Sequence, residues 1–188
     1  MRESDDIEAA MDRAEASGRG HVPDPAEPRL LRDALGRFAT GVTVVTACEC
    51  GGEGNPIGIT VNSFASVSLS PALILWSAAR SSMRHAHYTE APAFAVHVLR
   101  HDQSGLARRF TRSGDRFDGL DYTMNEDGVP LLADTLARFE CVTEARHDGG
   151  DHTIIIGRVT RFTADPDGTP LIFSGGQFGG FVPDAQPS

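Results

Sequence analysis

The chain has 188 residues, 40% of them hydrophobic, and carries a formal net charge of −9. That length is enough for one domain to bury a core without disulfides or metal, and the acidic balance argues against nucleic-acid binding through phosphate contacts. No run approaches the roughly 18 apolar residues of a membrane span, so neither nucleic acid nor membrane is an expected partner.

Residues 1–28 hold eight acids against three arginines, and the glycines and prolines from Gly18 to Pro28 read as a linker. We expect an acidic, flexible extension over 1–28, a domain over 29–182 and a short tail over 183–188. The N-terminus lacks the continuous apolar segment of a secretory signal. Three cysteines, an odd number, fit a reduced, cytoplasmic protein. The Cys48-Glu49-Cys50 pair has no second Cys/His pair at zinc spacing, so it reads as a solvent-facing turn rather than a metal site.

Leu31, Ala34, Leu35 and Phe38 recur at helical spacing and predict an amphipathic helix over Leu30–Ala39. Gly41 then releases the chain into a β-branched strand, Val42–Ala47. The glycine-rich stretch from Cys50 to Pro56 turns it into a second strand, Ile57–Val61. Further strands are expected at Ala65–Ser68, Leu73–Ser77, Ala93–Leu99, Ala137–Ala145, Thr153–Phe162 and Leu171–Ser174. Short helices fit at Met83–Thr89 and Gln103–Phe110. The apolar start of Thr153–Val159 places that strand centrally or at an oligomer interface. Many short strands without βαβ alternation predict a mainly β protein, an antiparallel β-barrel with peripheral helices.

Gly58–Pro71 is the most informative stretch. Thr60, Asn62, Ser63, Ser66, Ser68 and Ser70 are short and polar, and none of the fourteen residues is charged. Neutral donors and acceptors at a strand end suit a flat, polar-edged ligand such as a flavin ring; a simple bend would use Asn62 and Ser63 equally well. After Trp76, the Ser77–Arg84 cluster offers Ser81 or Ser82 as a helix N-cap. With Arg80 or Arg84, the same geometry would favour an anion. Asp115-Arg116-Phe117 reads as a salt-bridged turn, with Arg116 or Arg109 the alternative partner of a ligand phosphate. Gly149-Gly150-Asp151-His152 is a hairpin turn that can also put His152 at a pocket mouth. No GxGxxG, P-loop, HExxH or GxSxG motif occurs, so any difficult chemistry would belong to a bound organic cofactor.

In their order, Phe38–Thr46, Gly58–Pro71, Phe94–Leu99, Asp115-Arg116-Phe117, Gly149–His152 and Gly175-Gly176 resemble the short-chain flavin reductases, the small components of two-component flavin-dependent monooxygenases. The resemblance runs from about Leu30 to Phe178. It implies an FMN-binding split barrel with a Greek-key-like antiparallel arrangement, and a homodimer with flavin near the subunit interface. It implies NAD(P)H-dependent reduction of FMN or FAD, with the reduced flavin diffusing to a partner monooxygenase. By position, Thr60, Val61, Asn62 and Ser63 would line the isoalloxazine, with Ala65 and Ser66 at the ring or ribityl chain. Ser77, Ser81 and Ser82 would lie near the ribityl-phosphate, Arg116 near a phosphate and His152 near the nicotinamide. Ser174 and Phe178 stand where the family often has His and commonly Tyr. Hydride transfer needs no protein acid or base, so no catalytic side chain is expected. The lack of an evident basic cluster for a 2′-phosphate favours NADH over NADPH. A split-barrel protein that retains its flavin, or a non-enzymatic flavin carrier, is the alternative.

Overall fold

The structure is a computed structural model that describes residues 20–49 and 54–184. The chain divides into two compact units, Met1–Phe38 and Ala39–Ser188. In the first, helix α1 spans Arg29–Leu35 and buries none of its residues. It is shorter than its apolar spacing predicts, because the chain tightens at Gly36 into i→i+3 bonds, Arg37 N–H to Ala34 O and Phe38 N–H to Leu35 O.

The second unit is built on strands. In chain order these are β1 (Thr40–Gly41), β2 (Thr43–Cys48), β3 (Pro56–Val61), β4 (Ala65–Leu69) and β5 (Ala72–Ala79). Helix α2 (His85–Glu90), β6 (Ala93–Val98) and helix α3 (Ser104–Arg112) follow. The remainder is β7 (Tyr122–Met124), β8 (Pro130–Leu132), β9 (Ala137–Gly149), β10 (His152–Ala164), β11 (Leu171–Ser174) and β12 (Gln177–Gly180). Seven strands form one antiparallel sheet in the order β3-β2-β6-β9-β10-β5-β4, with β1-β11-β12 and β7-β8 as smaller sheets. As expected from its sequence, β10 is an inner strand, paired with β9 and β5.

The topology forces the large sheet to curl. β3 and β4 are its two outer strands, yet only Asn62, Ser63 and Phe64 separate them. Three residues reach about 14 Å at most, whereas the outer strands of a flat seven-stranded sheet stand roughly 29 Å apart. The sheet therefore closes on itself into a barrel with one unpaired seam, and the chain crosses that seam at Asn62–Phe64. Bulges in β10 at Ile156/Gly157 and Val159/Arg161 help the long β9–β10 ribbon bend.

Because β2 is buried along its whole length, its alternating side chains feed two cores. Val45 and Ala47 join Trp76, Tyr88, Phe94 and Ile155; Val44, with Val42 just before the strand, joins Leu99, Phe110, Phe117 and Leu171 beneath α3. Trp76 meets Tyr88 edge-on at 5.1 Å and Phe94 at 6.1 Å between ring centroids. Cys48 corrects the solvent-facing reading: it is the buried end of β2, and its thiol donates to Gly128 O at 2.8 Å. Cys50 lies outside the described residues.

His97 on β6 is fully buried. Leu132 N–H donates to its Nε2 at 3.1 Å, so Nδ1 carries the proton and donates to Val44 O, also at 3.1 Å. Desolvation then holds the imidazole neutral and pushes its pKa down to about 3. The unfolded chain binds this proton near pH 6.5 and the folded chain does not. Stability should thus fall as pH drops from about 6.5 toward 3, by up to about 1.4 kcal/mol per pH unit from this group. Denaturation of wild type and His97→Gln across that range checks it: the difference between the two should carry this slope, and parallel curves would refute the assignment.

Candidate flavin site at the barrel seam

The seam is held by three clasps. Ser63 Oγ accepts Ser77 N–H at 3.0 Å and donates to Ser77 O at 3.3 Å, tying the crossing to β5. Thr60 Oγ1 donates to Ala107 O at 2.6 Å, tying β3 to α3. Arg84 is the third. Its guanidinium donates to Gly58 O at 2.8 Å and Phe110 O at 3.0 Å through Nη1, and to Thr111 O at 3.4 Å through Nη2. Thus it joins β3 to the orphan carbonyls that every helix C-terminus leaves. Gly58 and Gly114 make room for the junction: a Cβ on Gly114 would stand 2.5 Å from Arg84 Cδ.

These contacts redistribute the roles read from sequence. Arg84 is a strut rather than a free anion partner, and Arg80 is engaged with Gly150 O at 3.0 Å and Asp148 at 3.4 Å. Neither serine caps α2, whose N-cap is Arg84; Ser82 Oγ instead accepts Arg84 N–H in a local turn. Asn62, Ser66 and Ser81 remain exposed, with no hydrogen-bond partner for their side chains among the described residues. Val61 is half-buried and Ala65 exposed at the two seam edges.

Against the seam lies a slot of about 190 Å³ lined by Val42, Thr60, Val61, Asn62, Thr111, Phe173 and Phe178. The two phenylalanines, 5.6 Å apart between centroids, come from the β11–β12 hairpin. Gly175 and Gly176 turn that hairpin at φ of +56° and +80°, a left-handed region that strains any other residue. Thr111 and Phe178 also line a second, open cleft of about 950 Å³. It holds Arg108, Arg109, Arg112 and Arg116 with Asp115 and Asp118. α3 spacing and the Asp115–Phe117 turn thus bring four arginines together, a cluster that was not evident in the sequence. Asp115 ionises below the usual carboxylate range, first because the Ser113 hydroxyl donates to it and further because Arg116 and Arg84 stand nearby.

His152 opens β10 opposite Ala79 of β5, with Nδ1 2.7 Å from Asp151 Oδ1. That contact lowers the Asp151 pKa. His152 lines neither the slot nor the arginine cleft.

Residues 35–181 match the family described as Flavin reductase like domain. The chain belongs to that family. It is 59% identical over 160 residues to FMN reductase (NADH) SmoA of Agrobacterium fabrum, covering 85% of this chain and 90% of that protein. It is 38% identical over 173 residues to the flavin-dependent monooxygenase reductase subunit HsaB of Rhodococcus jostii, covering 91% and 87%. Among solved structures, Streptomyces globisporus NADH:FAD oxidoreductase SgcE6 in complex with NAD and FAD fragments superposes with a TM-score of 0.80 at 42% identity, covering 89% of this chain and 100% of that one.

The seam of this flavin reductase-family barrel combines neutral polar groups with an apolar slot, the chemistry suited to a flat, polar-edged ligand. Free neutral donors and acceptors stand at Asn62, Ser66 and Ser81, and β3 and β4 each have one edge without a ladder partner among the described residues. Such an edge offers backbone N–H and C=O groups to a heteroaromatic rim. Phe173 and Phe178 make one wall of the slot apolar. Phe178 was legible as the position where the resembled family commonly has Tyr, and Phe173 only as part of the Leu171–Ser174 strand. That Val42 and Thr111 meet them follows from tertiary packing alone.

Proposed function

We propose that this protein is an NADH:flavin oxidoreductase, NADPH being the weaker donor, that reduces FMN or FAD and releases the product to a separate flavin-dependent monooxygenase. The observation that carries this reading is the seam itself, whose free polar side chains at Asn62, Ser66 and Ser81 are neutral and, with Ala65, open to solvent. The activity named for the 59% identical Agrobacterium protein supports it. Openness favours exchange of the flavin over its retention.

Bound flavin supplies the hydride acceptor. Asn62 and Ser66, with the backbone edges at Thr60–Val61 and Ala65, hold its polar rim. Ser77, Ser81 and Ser82 serve the ribityl-phosphate end, and Arg116 a phosphate. Phe173 and Phe178 exclude water from one side of the slot. His152, beside Asp151, serves the nicotinamide end. The chain contributes position rather than proton transfer, and orientation of reacting groups accounts for much of the acceleration. The exposed side chains of Leu69 (95%), Met83 (94%) and Phe162 (67%) support a homodimer that covers them. Cys48 and Cys141, buried and free among the described residues, support a reducing compartment, the cytoplasm.

Steady-state NADH oxidation with FMN, then FAD, tests the activity. Turnover with either flavin, and loss of any co-purified flavin on dialysis, is the expected result. No NADH oxidation with either would leave a flavin carrier. His152→Ala should raise the KM for NADH about three- to tenfold with little change in kcat, as expected for one lost contact; an unchanged KM removes His152 from the site.

The clasps separate binding from scaffolding. Asn62→Ala should weaken flavin binding about three- to tenfold at unchanged thermal midpoint, since its amide makes no internal bond among the described residues. Ser63→Ala should instead cost about 1 kcal/mol of stability through the lost Ser77 clasp. Fluorescence titration of flavin and thermal denaturation of both variants distinguish them, and the reverse pattern would exchange their roles.

A further inference from the structure

Among the described residues, hydrogen bonds and ion pairs account for only one of the four arginines of the cleft. The C-terminal carbonyls of α3 at Phe110 and Thr111 are already bonded by Arg84, so Arg108 and Arg112 are not needed there as caps. Spaced four residues apart on one helix face, they repel each other. Arg109 is tied to Asp118 O. Arg108, Arg112 and Arg116 make no hydrogen bond or ion pair among the described residues, and all three are exposed. The Arg108 guanidinium lies 5.2 Å from the centre of the Phe178 ring, a planar cation against an aromatic face. The four arginines and two aspartates of the cleft leave a local charge of about two positive units.

We infer that this cleft is a subsite for the adenosine diphosphate moiety of a dinucleotide, a chemistry shared by FAD and NADH. This rests on the reductase reading given above. Two positive charges match the two negative charges of a pyrophosphate, and unpaired guanidinium groups are suited to bidentate phosphate contacts. Phe178 and the Arg108 plane offer stacking surface to a purine. The cleft and the flavin slot share Thr111 and Phe178, so one molecule with its flat ring in the slot has a continuous path to the arginines. A mononucleotide ring without the second phosphate has no use for that extension.

The test compares wild type with Arg108→Gln/Arg112→Gln, exposed positions whose loss leaves the clasps intact. ADP should bind wild type in calorimetry and bind the variant about tenfold more weakly, the loss expected for charge-assisted contacts in a solvent-accessible cleft. Arg108→Lys/Arg112→Lys should recover part of it. A raised Kd for FAD with FMN unchanged assigns the subsite to the flavin dinucleotide; a raised KM for NADH with FMN as acceptor assigns it to the nicotinamide dinucleotide. No binding of ADP to wild type, or identical constants throughout, overturns the subsite. So does an equal loss of FMN and FAD affinity, which would place the flavin's own phosphate in the cleft. Wild-type NADH oxidation with FMN is the separate control: its absence removes the reductase reading, whereas its presence with unchanged variant constants removes only the subsite.

Discussion

Arg84→Met should lower stability by about 2–3 kcal/mol and abolish tight flavin binding together. The guanidinium joins Gly58 O to Phe110 O and Thr111 O. Methionine keeps most of the apolar stem but donates nothing, leaving these carbonyls without the charged donor. A hydrogen bond to a charged group contributes roughly 1.5–3 kcal/mol net, and because Arg84 is half-buried and water replaces part of what is lost, the three bonds together are placed at about 2–3 kcal/mol. Because the same carbonyls connect β3 to α3, the slot between Thr60 and Thr111 loses its fixed width. Urea denaturation and flavin titration measure the two effects. Arg80→Met, whose partners Gly150 and Asp148 are exposed, is the control and should cost less than about 1 kcal/mol. Equal costs in the two variants would contradict the strut.

Gly58→Ala should cost about 2–3 kcal/mol by overpacking. Its Cβ would lie 2.6 Å from Phe110 Cδ1 and 2.7 Å from Cε1. Phe110 is fully buried and packs on Phe117 at 5.1 Å between centroids, so the ring cannot simply swing aside. Relief requires α3 to move off β3, which also strains the Thr60–Ala107 bond. Gly105→Ala on the outer side of α3 meets nothing within 4 Å and should leave the denaturation midpoint unchanged or raised, since alanine favours the helix. A Gly58→Ala midpoint at the wild-type value would show that the β3–α3 contact is softer than the structure places it.

The sheet strands were legible because their signal is local. β-branched runs and turn residues marked β2, β3 and β10, and Leu171–Ser174 coincides with β11. Tyr122–Met124 and Pro130–Leu132 were missed because three-residue strands carry no readable alternation; the Asn125–Gly128 turn between them was their available signal. β9 starts at Ala137 as expected but runs on from Ala145 to Gly149, and β10 begins one residue early and ends two late, since the polar tip pairs by backbone bonds that side-chain pattern does not report.

For the site, the hydroxyl-rich seam could be read from composition, but which hydroxyls are free could not. Ser63 and Thr60 spend theirs on Ser77 and Ala107, contacts across 14 and 47 residues. Arg84 was misread for the same reason, because a guanidinium beside serines looks like an anion site until the carbonyls it serves are known. Arg108 and Arg112 share a helix face by spacing alone, whereas Arg116 and Phe178 reach them only through the fold.

Flavin binding where the chain crosses the seam between β3 and β4 underlies each of these proposals. Amide hydrogen exchange with and without saturating FMN tests it most directly. Slowed exchange is expected at Thr60–Ser66 and the Ser77–Ser82 segment, accompanied at most by the slot-lining segments around Thr111 and Phe173–Phe178, with the Asn125–Val129 turn unchanged. Protection elsewhere, with Thr60–Ser66 unaffected, would contradict it.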